Sequence, residues 1–173
     1  AYTMPLGVYG QLMAAIGGKR PGILTHVGLH TYADPRQEGC KINDRAKEQG
    51  REIVELVKVD GKDYLFYKAF HIDACILHAS YADELGNISL QDEPIRGELL
   101  ELAAAVHNNG GTVIVEVKNI VKAGSLDPRQ VLIHKSYVDY LVKTEKEDNI
   151  ALAYSPSLIG DIRVPTEGSV KPL

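Results

Sequence analysis

Residues 95–117 constrain the fold more than any other stretch of this chain. Ile95, Leu99, Leu102, Ala103 and Val106 recur at a spacing that places them on one helical face, which predicts a helix over Arg96–His107. Asn108-Asn109-Gly110-Gly111 then stops it. Thr112–Val117 follows at once as a β-branched run with few charges, the composition of a strand covered on both faces. Continued to Val142, the second half reads strand, helix, strand, loop, strand, and such alternation argues for a layered α/β sheet with parallel order. Within Glu52–Phe70, Ile53, Glu55, Val57 and Val59 alternate with Val54, Leu56 and Lys58. Asp60-Gly61 and then Tyr64–Tyr67 follow, a short-range signal for an antiparallel hairpin. The expected fold is α/β: a mixed, mostly parallel sheet with flanking helices and an antiparallel hairpin.

Other elements are shorter. Val8, Leu12, Met13 and Ile16 predict a helix that Gly17-Gly18 ends. Ile23–Thr25 and Ala74–His78 read as strands, Asp83–Asn87 as a turn, Ile88–Leu90 as a short edge strand, Leu126–Arg129 as a turn and Tyr137–Val142 as a strand. Between Gly28 and Asp44 there is little periodicity and much Gly, Asp and Pro. A loop of that length in a compact domain is usually functional or disordered.

At 173 residues the default is one domain with a true core. With 19 basic against 23 acidic residues and a pI near 5.9, the chain lacks the basic excess of nucleic-acid or anionic-membrane binders. No apolar run approaches the roughly 20 residues of a membrane span, and no signal peptide is evident. Cys40 and Cys75 have no CxxC spacing and suit a reducing, cytoplasmic setting. Cys75, in an apolar run, reads as a buried thiol; Cys40, in a polar loop, reads as more exposed.

The six histidines form no HxxxH or HExxH spacing, so no metal site is expected. His78 reads as a satisfied strand histidine and His107 as a cation at a helix carboxyl end. Glu116 interrupts an apolar strand, and a structural role there outweighs a chemical one. Gly17-Gly18-Lys19-Arg20 follows a helix instead of opening one, so it reads as a cap with solvated charges, without the anion-binding logic of a helix N-terminus. His30, just beyond a strand end, is balanced between a pocket position and a solvated loop residue. The residues alone yield a soluble α/β domain with a conspicuous loop, and no reaction.

That loop carries a resemblance. Val27-Gly28-Leu29-His30-Thr31-Tyr32-Ala33-Asp34-Pro35-Arg36-Gln37-Glu38-Gly39-Cys40-Lys41-Ile42-Asn43 resembles the G-x-x-T-[FY]-x-D-P-R-x-x-G-x-K-x-N segment of the family I CoA-transferases, in particular the propionate and acetate CoA-transferases acting on short-chain acyl-CoA. Tyr64–Ala69, Ala82–Ile88, Val106–Ile114 and Leu126-Asp127-Pro128 fit the same family in collinear order.

The resemblance implies a NagB/RpiA/CoA-transferase-like fold (isomerase/deaminase-like), with residues 1–168 the later part of the first, α, half and 169–173 an interdomain linker. It implies transfer of CoA between a short-chain acyl-CoA and a carboxylic acid through a glutamyl-CoA intermediate, CoA being a substrate and no metal taking part. No glutamate here matches the family's nucleophile, so no catalytic residue is assigned within this chain. Pro5, Leu6, Gly7, Gly28, Leu29, His30 and Thr31 would contribute substrate-binding wall, with Asp34, Pro35, Arg36, Lys41 and Asn43 in the adjoining loop. The chain departs from the family at Leu6, where a glutamine is usual, at His30, where the residue is small, and at Cys40, where it is glycine. These departures suggest a shifted acid preference. The other readings are an acyl-CoA hydrolase on the same scaffold and a binding-only subunit. The expected partners are the β-half of the enzyme or a companion chain, and further copies in a homo-oligomer, covering an apolar sheet edge; neither nucleic acid nor membrane is expected.

Overall fold

The computed structural model describes residues 1–93 and 95–144. The expected linker at 169–173 therefore lies outside the described residues, as does the chain leading to it from 145. The chain forms two compact units: Ala1–Cys75 with Glu98–Val113, and Ile76–Gly97 with the chain from Ile114 onward.

The first unit begins with α1, Leu6–Gly17. Pro5 stands at its N-cap with φ −56°, an angle the pyrrolidine ring presets for entry into a helix. The four residues that set the helical period, Val8, Leu12, Met13 and Ile16, are all buried. Each such side chain contributes about 1.5–3 kcal/mol relative to exposure. α1 packs on a second helix, Leu99–Asn108, numbered α3 in chain order. A Cβ on Gly17 would lie 3.2–3.3 Å from the backbone of Ala104 and Ala105, so glycine permits this close approach.

Strands β1 (Gly22–Thr25), β2 (Val54–Val59) and β3 (Lys62–Lys68) form an antiparallel sheet of order β1-β3-β2. The expected hairpin is present: β2 and β3 pair from Val54↔Tyr67 to Val59↔Lys62. Asp60 and Gly61 turn it with positive φ at both positions, the geometry a tight hairpin demands. Leu65 and Tyr67 of β3 join Leu12, Met13, Cys40 and Val54 in the core of this unit. A six-residue helix, α2 (Asp44–Gln49), has no counterpart in the sequence reading. It buries only Ala46 and so leaves no apolar period, and it is started by the Asn43 side chain, which accepts from the Ala46 amide.

The second unit is built on a five-stranded sheet of order β7-β5-β4-β6-β8. Its strands are β4 (Ala74–Asp83), β5 (Ile88–Ser89), β6 (Thr112–Val121), β7 (Val131–Ile133) and β8 (Tyr140–Lys143). β6 and β8 are parallel, whereas β4–β5 and β5–β7 run antiparallel. The α/β class and the mixed sheet are as expected. β5 corrects one expectation. It is no edge strand, because β7, too short to show a period, pairs along its outer side and Ile88 is buried. β8 starts later than expected, since Lys135–Tyr137 forms a 3-10 turn whose Ser136 amide donates to the His134 ring.

His78 and Glu116 face each other across β4 and β6, with His78 Nδ1 3.8 Å from Glu116 Oε1 and Nε2 3.5 Å from Glu93 Oε1. Glu93 also accepts from Ser80 Oγ and Glu116 from Thr144 Oγ1. Glu116 is partnered as expected; His78 has acidic neighbours at both ring nitrogens, but its buried Nε2 makes no hydrogen bond among the described residues, so it is less fully satisfied than expected. No helix among the described residues is long and apolar enough to cross a membrane.

Candidate functional site

The loop from His26 to Asn43 joins β1 to α2, and a buried carboxylate organises it. Asp34 is 1% exposed. Its Oδ2 accepts from the His30 amide at 2.9 Å and from Arg36 Nη2 at 2.7 Å, and its Oδ1 from the Arg36 amide and Nε, both at 3.0 Å. The Arg36 guanidinium is the main reason the Asp34 carboxyl sits well below the usual carboxylate range; the two amides act in the same direction against the cost of burial. The Asp34 carbonyl takes the Gln37 and Gly39 amides. Arg36 reaches on to Asp63 of β3 at 3.0 Å, which ties the loop to the hairpin. One Asp–Pro–Arg triplet thus converts a segment without secondary structure into a rigid series of turns.

The two halves of the candidate wall are drawn together by the N-terminal segment. Thr3 donates to the Cys40 carbonyl at 2.9 Å, Ile42 donates to the Ala1 carbonyl at 3.1 Å, and Tyr2 bridges Lys41. Pro5, Leu6 and Gly7 therefore leave directly from the far end of the loop. Leu6 is 76% exposed, and a Cβ on Gly7 would meet nothing. This helix start is open.

Within the loop, Gly28 has φ +98°, and a Cβ there would lie 2.4 Å from Tyr67 Oη. Leu29 packs against the core, while Thr31 is exposed and its hydroxyl donates to the Gly28 carbonyl at 2.7 Å. Pro35 is half-buried. Lys41 pairs with Glu52, and Asn43 caps α2 while accepting from the Ala1 ammonium at 2.6 Å. These last two residues tether the loop, Lys41 half-buried and Asn43 at the surface.

Two of the three departures from the family pattern share a backbone state. His30 has φ +61° and Cys40 φ +68°, the left-handed region that glycine enters without cost. His30 is held there by the Asp34 carboxylate on its amide, and its side chain is exposed. Cys40 overturns the expectation of exposure. It is fully buried in the core of the first unit, and burial pushes its thiol up to about 11. A turn residue in a polar segment gives no sign that its side chain will point inward.

Sequence reasoning also gave Tyr67 and Asp63 no role. Tyr67 is buried and donates to the Val27 carbonyl at 2.9 Å, which anchors the start of the loop. The signal available was the aromatic at an inward-facing position of the hairpin. No group of three His, Cys, Asp or Glu side chains converges on a metal geometry among the described residues.

The coenzyme A transferase family model matches residues 1–144, the span that contains this loop and its anchors. The chain belongs to the coenzyme A transferase family. It is 40% identical over 168 residues to caffeate CoA-transferase of Acetobacterium woodii, covering 95% of this chain and 32% of that protein. It is 39% identical over 142 residues to acetate CoA-transferase YdiF of Escherichia coli, covering 82% of this chain and 26% of that protein. The chain thus spans about a third or less of the length of these curated relatives.

Among solved structures, the acyl-CoA transferase YdiF, captured as a thioester complex with CoA, superposes with a TM-score of 0.85 at 33% identity. That match covers 96% of this chain and 34% of YdiF. Glutaconate CoA-transferase of Acidaminococcus fermentans superposes with a TM-score of 0.63 at 16% identity, which shows the shared fold.

Proposed function

We propose that this chain forms part of the carboxylate-side pocket of an enzyme that moves CoA between a short-chain acyl-CoA and a carboxylic acid. The observation that carries this reading is the family match across residues 1–144, together with an Asp34–Arg36 clamp that holds the matched loop rigid beside an open helix start. The nucleophile is a glutamate supplied by sequence beyond these residues, in the other half of the enzyme or a companion chain. Its carboxylate attacks the thioester carbonyl and forms a mixed anhydride as CoA thiolate leaves. The thiolate attacks the glutamyl carbonyl of that anhydride and releases the first acid, leaving glutamyl-CoA. The acceptor carboxylate then repeats the sequence in reverse. The residues of this chain hold the acid; their role is positioning and selection.

Selection falls on His30. A left-handed position usually filled by a small residue here projects an imidazole, while the open helix start carries Leu6 instead of an amide donor. His30 replaces the lost polar contact to the acid, and unpaired polar groups are what reject a wrong substrate. The setting is cytoplasmic. The exposed Tyr140 and Val142 on β8, an outer strand of the five-stranded sheet, support a companion chain or further copy covering that edge.

The full-length enzyme should exchange CoA between propionyl-CoA and acetate faster than it hydrolyses propionyl-CoA; net hydrolysis would replace transfer by hydrolase chemistry. His30→Gly relieves the left-handed residue, so the variant should fold at least as well. It should shift the ratio of kcat/KM between acetate and a longer acid by about tenfold, the scale of one polar contact. An unchanged ratio removes His30 from acid selection.

A further inference from the structure

The run Gly17-Gly18-Lys19-Arg20 plays no part in the pocket wall, yet it borders a cavity of about 270 Å³ in the first unit. Ile16, Ala69 and Phe70 make up the apolar floor of its lining, and the nitrogen-bearing residues Lys19, Arg20 and His71 line it from two separate segments. We propose that it is a binding site for a phosphate group.

The simpler account is that the two cations merely offset the carboxyl end of α1. The hydrogen bonds argue otherwise. Two asparagine amides already occupy the exposed carbonyls of that end. Asn108 Nδ2 donates to the Gly17 carbonyl at 2.8 Å, and Asn109 Nδ2 donates to the Ile16 and Ala105 carbonyls at 3.3 and 2.6 Å. The Lys19 ammonium instead donates to the neutral Asn109 Oδ1 at 2.9 Å, an amide whose orientation those carbonyl bonds fix. Lys19 and Arg20 have no carboxylate partner among the described residues, so their charge is uncompensated. His71 Nε2 has an acidic neighbour, Asp73 Oδ1, at 3.2 Å, and the Asp73 side chain is 94% exposed.

The backbone adds a second argument. Lys19 follows the C-cap Gly18 with φ +57°, while its amide bonds the Ile16 carbonyl and the Arg20 amide the Ala15 carbonyl. That is the position glycine ordinarily fills at a helix end. A lysine held there carries backbone strain, and such strain persists where the placed side chain has a use. A phosphate group suits the arrangement better than a carboxylate. Its tetrahedral oxygens accept from donors on several sides, an arginine fork among them, whereas a carboxylate is satisfied within one plane. The apolar floor accommodates the carbon skeleton that carries the phosphate.

The test is a titration of the isotope-labelled protein followed by amide NMR, with inorganic phosphate as the probe and acetate at equal ionic strength as the control. Phosphate should give saturable shifts at Lys19, Arg20, Phe70, His71 and Asn109, and acetate none. Arg20→Ala should weaken phosphate about tenfold, the worth of one charge-assisted hydrogen bond. Lys19→Gly should do the same, and because glycine accepts φ +57° freely, this variant keeps or gains stability and a folding defect cannot mimic the loss. Adenosine 3′,5′-bisphosphate binding more tightly at the same signals would assign the site to a nucleotide-borne phosphate, as in coenzyme A. Equal binding would assign it to phosphate groups generally. The proposal is overturned if phosphate gives no saturable shift, if acetate matches it, or if neither substitution weakens it. These outcomes do not depend on whether the full-length enzyme transfers CoA.

Discussion

Asp34→Asn is expected to lower unfolding free energy by about 2–4 kcal/mol near neutral pH, because the carboxylate accepts four hydrogen bonds at a buried position. An asparagine offers one oxygen and sets an NH₂ group against donors from His30 or Arg36. Arg36 is 41% exposed and already holds Asp63 at 3.0 Å, so its charge keeps a partner and access to water and the cost stays below that of a fully buried broken pair. The pH dependence separates lost charge from lost shape. The folded Asp34 carboxyl titrates below its ordinary value of 3.8, so its contribution is full above that value and drains away as pH falls toward the folded value. Chemical denaturation of the native protein and the variant should therefore differ most near pH 7 and converge in strong acid. An equal difference at pH 7 and at pH 2–3 would mean that packing, not ionisation, is what Asp34 supplies.

Gly28→Ala is expected to be comparably severe for a different reason. The backbone stands at φ +98°, outside even the left-handed helical region that asparagine or histidine tolerates. The added methyl would also lie 2.4 Å from Tyr67 Oη and 3.0 Å from Ala33 Cβ. Strain and overpacking together amount to about 2–5 kcal/mol. Part of that clash is with a single hydroxyl, so Tyr67→Phe should couple to it. Although Tyr67→Phe alone loses the bond to the Val27 carbonyl, the double variant should be less destabilised than the sum of the two single changes. Strict additivity in denaturant unfolding would place the whole cost in the backbone. Gly28 thereby contrasts with His30 two residues on, where the reverse change, to glycine, is expected to relieve the chain.

These two positions also show what can be read from residues and what cannot. The Asp34-Pro35-Arg36 triplet and the glycine at 28 are visible in the sequence, and together they mark a loop of family character. That Asp34 turns inward is not visible, since an isolated carboxylate is among the residues least often buried. Its burial makes sense only once Arg36 and the His30 amide are brought within hydrogen-bond distance. The same holds for Cys40, whose polar neighbours suggest exposure while a left-handed turn swings it into the core.

Periodicity and turn chemistry are local, and they were enough for α1, the β2–β3 hairpin, α3 and β6, each long enough to repeat its pattern. They failed for β7 and α2, which are three and six residues long and too short to show a period. They also failed for the interior place of β5, because a strand's neighbours are chosen by distant pairing. The order of residues settled which family this chain belongs to and where its conspicuous loop lies. Only the packed structure decided which loop side chains anchor it, which face open space, and that two asparagine amides leave Lys19 and Arg20 with their charge unspent, because those outcomes depend on contacts between residues far apart in the chain.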